Sequence, residues 1–152
     1  GADRDAREAM LIGALLAGQA FANAPVAAVH ALAYPLGGRY HIPHGLSNAL
    51  MLQPVLEFNM KAAAPLYAEL ATAVGADVAQ DAGYEAKAQA FVKRLIELMD
   101  ASGAPRRLRD AGVAEEMLPQ LAADAMLQTR LLGNNPVEVT EADALALYRA
   151  AF

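Results

Sequence analysis

Three histidines, His30, His41 and His44, are the only ones in the chain, and all fall within fifteen residues. The segment reads Val29-His30-Ala-Leu-Ala-Tyr34-Pro-Leu36-Gly37-Gly38-Arg39-Tyr40-His41-Ile-Pro43-His44-Gly45. Neutral imidazole is the commonest side-chain metal ligand, and it accepts iron, zinc, copper or nickel. His30 falls on one helical segment and His44 at the start of the next, so a Pro- and Gly-rich reversal between them can turn both rings to one face. Spacing alone leaves two readings open, a metal pair or ordinary surface and core histidines. His41, inside the reversal, reads as exposed.

The elements that must position these residues are helical. Alanine, the best helix former, is abundant. Asp3 caps a helix to about Phe21, with Met10, Ala14, Ala17 and Phe21 in helical spacing. The largely apolar stretch from Ala9 to Ala28 is broken by Gln19 and Asn23 and reads as a buried helix rather than a membrane span. A second helix restarts at Asn23 and Pro25 and runs to Ala33, where Pro35, Gly37 and Gly38 stop it and turn the chain. The glycines there and Gly45 read as turn geometry. A third helix runs from Pro43-His44 to Met60. Others cover 62–74, 84–102, 114–129 and 140–150, the last opened by the start signal Thr140-x-x-Asp143. No alternating run is long enough for a strand, and the expected class is an all-α domain.

Composition narrows the function. With 152 residues the chain makes one domain with a real core. It is 56% hydrophobic and 19% charged, so some apolar surface should face another domain or subunit, a second copy included. A net charge of −5 speaks against nucleic acid, and Arg106, Arg107 and Arg109 read as a solvated turn. There is no cysteine for disulfides or thiolate metal sites, and the composition fits a cytoplasmic location.

From Phe21 to Asn59 the sequence resembles the iron-containing (group III) alcohol dehydrogenases. Their histidine-rich signature runs Gly-x-x-His-x-x-Ala-His-x-Leu-Gly and then, after a spacer, Pro-His-Gly. Register and spacing agree from His30 to Pro43-His44-Gly45-Leu-Ser-Asn48-Ala49. Gly133-Asn134-Asn135-Pro136 and Val139-Thr140-Glu141-Ala-Asp143 resemble the family's C-terminal Gly-Asn-Pro turn and last helix.

The resemblance implies that residues 1–152 are a C-terminal α-helical metal-binding domain of the dehydroquinate synthase-like, iron alcohol dehydrogenase fold. His30 and His44 would be two of four ligands to a divalent metal, Fe2+ or else Zn2+. An upstream Asp and His would complete the set, and an upstream nucleotide-binding domain would hold NAD or NADP. The reaction implied is hydride transfer between an alcohol and its aldehyde or ketone. Tyr34 stands where the family more often has a proton-relaying histidine, and Phe21 where it often has an aromatic of the substrate cleft; both also read as packing residues. Alternatives are a maleylacetate-reductase-like enzyme and a non-catalytic helical module.

Overall fold

A computed structural model describes all residues, Gly1–Phe152, and is all-helical, as expected. Its elements are α1 (Arg4–Asn23), α2 (Ala28–Tyr40), α3 (His44–Ala71), α4 (Tyr84–Ala101), α5 (Leu118–Met126), α6 (Thr129–Leu132) and α7 (Glu141–Ala151), with short 3-10 turns before α5. The main core joins α2, α3, α5 and α7 around Leu32, Leu36, Met51, Val55, Leu118, Leu121 and Tyr148. A smaller cluster seats Ala71 on Phe91 and Val92 of α4, where the rings of Tyr67 and Phe91 stand 5.4 Å apart.

Both capping signals hold. The Asp3 carboxylate accepts from Ala6 N at 3.0 Å. At α7 the Thr140 hydroxyl accepts from Asp143 N, and the Asp143 carboxylate accepts from Thr140 N and from its hydroxyl. This holds the Asp143 carboxyl below its usual range.

The prolines and glycines mislead. Helix α2 begins at Ala28, not Asn23, and continues through Pro35, Gly37 and Gly38 to Tyr40. Pro35 withholds one N–H from the helix ladder, but it is buried between the core residues Leu32 and Leu36, so packing outweighs the lost bond. The reversal lies instead at His41–Pro43, with His41 itself left-handed at φ 55°. Neither Gly37, Gly38 nor Gly45 has positive φ, so none is a turn glycine. Helix α3 likewise absorbs Pro54 and Pro65 into one run of 28 residues rather than breaking near Met60. Between Ala114 and Thr129 the chain forms a 3-10 turn and the shorter α5.

Helix α1 departs most from expectation. None of its residues is buried, and Met10, Leu11, Ile12, Leu15, Leu16 and Phe21 are all exposed. Nothing within these residues packs on it to any extent, which is why the apolar stretch read as buried is open. No single helix is long and apolar enough to cross a membrane. Arg106 is no solvated turn residue either. It is half-buried, donating to the Ile96 carbonyl at 3.3 Å and Gln53 Oε1 at 2.9 Å and pairing with Asp100.

Candidate metal centre

Helix α2 carries His30 in its first turn, and α3 opens on His44. Their convergence depends on how the short link between the helices is fixed. Ile42 is buried, the Ser47 hydroxyl donates to the Ile42 carbonyl at 3.2 Å, and Ser47 N donates to Pro43 O at 2.9 Å. The link is thus sewn onto the first turn of α3. At the other end of the core, the Tyr148 hydroxyl donates to the Leu32 carbonyl at 2.6 Å. Burial pushes that phenol well above its usual pKa, so it stays a donor.

The ring centroids of His30 and His44 lie 5.2 Å apart, with planes tilted by 56°. Two imidazoles on one tetrahedral metal, each about 2.0–2.1 Å away through nitrogen, place their ring centres roughly 5 Å apart. The pair therefore fits a shared metal. His30 is partly buried and His44 exposed. Burial, and then the neighbouring His44, push the His30 pKa down, favouring the neutral ring that a metal binds. No group of three or more His, Asp or Glu side chains comes together in the chain, so these two rings have no third protein partner of that kind beside them.

Tyr34 lies one helical turn after His30, as the i, i+4 relation requires. Its ring stands 6.3 Å from that of His44, and it is 44% exposed. Tyr34 and Phe21 line one hollow with Pro25, Val26, Arg130 and Leu131. His41 is exposed at the end of α2 and joins no cluster.

Beside His30 runs a largely apolar groove of about 610 Å³ along α3, walled by Leu52, Val55, Leu56 and Leu66. Asn59 and Asn135 also line it, and their residue types alone signal no chemistry. Asn59 is 4% exposed, too buried for an unpaired amide, and its environment could be inferred from its helical spacing with Val55. Asn134 donates to Val26 O at 3.0 Å, holding the strap that leads into α2. Asn48, beside the same groove, stands 3.0 Å from His44 Nε2.

Residues 1–152 match the C-terminal model of the Fe-containing alcohol dehydrogenase family over their whole length. The chain belongs to the iron-containing alcohol dehydrogenase family. It is 41% identical over 152 residues to long-chain-alcohol dehydrogenase 1 of Geobacillus thermodenitrificans, covering 100% of the chain and 38% of that protein. To lactaldehyde reductase of Escherichia coli it is 37% identical over 150 residues, 99% of the chain and 39% of the relative. The crystal structure of a 1,3-propanediol oxidoreductase superposes with a TM-score of 0.93 at 35% identity, covering 99% of this chain and 39% of that one. This member of the family thus spans about two fifths of the curated relatives it matches.

Proposed function

We propose that this chain is the metal-carrying helical part of an NAD(P)-dependent alcohol dehydrogenase that interconverts alcohols with aldehydes or ketones. The observation that carries the proposal is the approach of His30 and His44 to a ring separation of 5.2 Å at the α2–α3 junction. An upstream part of the longer protein supplies the remaining metal ligands and the nucleotide site. The metal is Fe2+ or Zn2+, since imidazole nitrogens suit both.

His30 and His44 would hold the metal, which would supply Lewis acidity toward the substrate oxygen for hydride exchange with nicotinamide. This chain's own residues orient and enclose. His30 offers a neutral ring because burial and His44 disfavour its charge. The Tyr34 hydroxyl, one helical turn after His30 and with its ring 6.3 Å from that of His44, would exchange a proton with substrate through solvent. Phe21 shares its hollow and presents an apolar wall to the substrate's carbon chain.

The test compares the full-length protein with its His44→Ala variant. The variant should lose most of its bound metal and at least about a hundredfold of its NAD(P)-linked alcohol oxidation, more than loss of an outer-shell group costs. Unchanged metal content with unchanged activity would remove the proposal.

A further inference from the structure

The carboxamide of Asn48 touches His44 twice. Its Nδ2 lies 3.0 Å from the His44 ring Nε2 and 3.0 Å from the His44 backbone oxygen. Its Oδ1 is buried and has no hydrogen-bond partner. A carbonyl oxygen only accepts, so the amide atom facing it must be the nitrogen, which fixes the orientation of the group. The second N–H of Nδ2 then points at Nε2, which must accept it. In this arrangement Nε2 is the ring nitrogen of His44 that carries no proton.

A metal binding through Nε2 would need that same lone pair, which cannot serve a proton donor and a metal together. Ligation through Nδ1 offers no escape. It moves the ring proton to Nε2 and sets two donors 3.0 Å apart. The Asn48–His44 contact therefore breaks by either route. The partnerless Oδ1 makes the held state costly as well, since a buried acceptor left unmade forfeits a hydrogen bond's worth of free energy.

We infer that Asn48 is the positioning residue of His44: it holds the metal-free ring by the Nε2 lone pair and lets go when metal arrives. The inference rests on His44 as a metal ligand, and the two are tested separately. In the metal-free full-length protein, selectively labelled with 15N-histidine and 15N-asparagine, His44 should show an unprotonated Nε2. Asn48→Ala should return the ring to the Nε2–H form that free imidazole side chains favour. Asn48→Asp, close in volume but unable to donate, should do the same, and it answers the question if the alanine variant fails to fold.

Adding Zn2+ should shift the His30 and His44 ring signals and the Asn48 side-chain amide signal together. A wild-type His44 already carrying its proton on Nε2 overturns the inference. So does an Asn48 amide that stays fixed while both rings respond. Zn2+ that moves neither ring defeats the metal-centre reading and the release with it, while the metal-free tautomer still decides whether Asn48 holds His44.

Discussion

Asn59 of α3 and Asn135 of the turn after α6, 76 positions apart, exchange hydrogen bonds: Asn59 Nδ2 donates to Asn135 Oδ1 at 2.9 Å, and Asn135 Nδ2 donates back to Asn59 Oδ1 at 2.8 Å. Asn135 also donates to Val137 O at 2.7 Å. The pair fastens the Gly133-Asn134-Asn135-Pro136 turn to the groove floor. Because Asn134 in turn grips Val26 O, the same turn steadies the strap into the His30 helix.

Asn59→Ala should therefore cost about 1–3 kcal/mol, since it strands a partly buried amide. Asn135→Ala should cost a similar amount. The double variant should lose less than the sum, with a coupling of about 0.5–3 kcal/mol in a chemical-denaturation cycle. Additive losses would mean that the two amides act independently.

Tyr34→Phe in the full-length protein should lower kcat about a hundredfold, the low side of what a positioned acid–base group supplies. Tyr34→His should retain activity and titrate nearer neutrality, because imidazole exchanges protons there and a phenol does not. Steady-state rates against pH for the two variants decide the point. A phenylalanine variant with wild-type kcat would reduce Tyr34 to a packing residue.

The α7 cap gives a test in acid. Hydrogen bonds from Thr140 lower the Asp143 pKa, and Arg39 lowers that of Asp124. A carboxyl whose folded pKa lies below its unfolded value stabilises the fold above the unfolded pKa. That contribution disappears as pH falls through the folded one. Thr140→Ala should cost about 1 kcal/mol at pH 7. The penalty should shrink below about pH 4 as Asp143 protonates. Thermal melts across pH 2–7 would check it, and a penalty independent of pH would assign the loss to the hydroxyl alone.

Leu15 on α1 is 62% exposed. In the 152-residue chain Leu15→Glu should change stability by no more than about 0.5 kcal/mol, as an exposed substitution does. In a longer protein where α1 is covered, the same change should cost several kcal/mol for a buried, unpaired charge. Melting both forms separates the cases. A large loss in the short chain would mean that α1 already has a packing partner there.

Much of this was legible in the residues. Asp3 and Thr140 announced their helices through capping chemistry, which is local and needs no neighbours. The helical class followed from alanine content and apolar spacing. The end of α2 was hidden because Pro35 carries a strong local signal against helix, and only its burial reveals what offsets that signal; the continuity of α3 past Met60 has no comparable local mark. His30 and His44 were visible as types and spacing, yet their meeting depends on Ile42 and Ser47 pinning a three-residue link. Asn48 could be named from its place one turn after His44. That it faces the ring nitrogen rather than solvent is a matter of rotamer, which no sequence pattern encodes.

The bond from Tyr148 to Leu32 spans 116 positions. Its partner carbonyl sits in the helix that bears His30, so this helix gains that anchor only when α7 exists. During synthesis α2 can pack on α3 at once, but this bond must wait until Tyr148 has left the ribosome. Contacts of such separation form late. A polypeptide stalled short of Tyr148 would expose both histidines on a junction lacking that anchor.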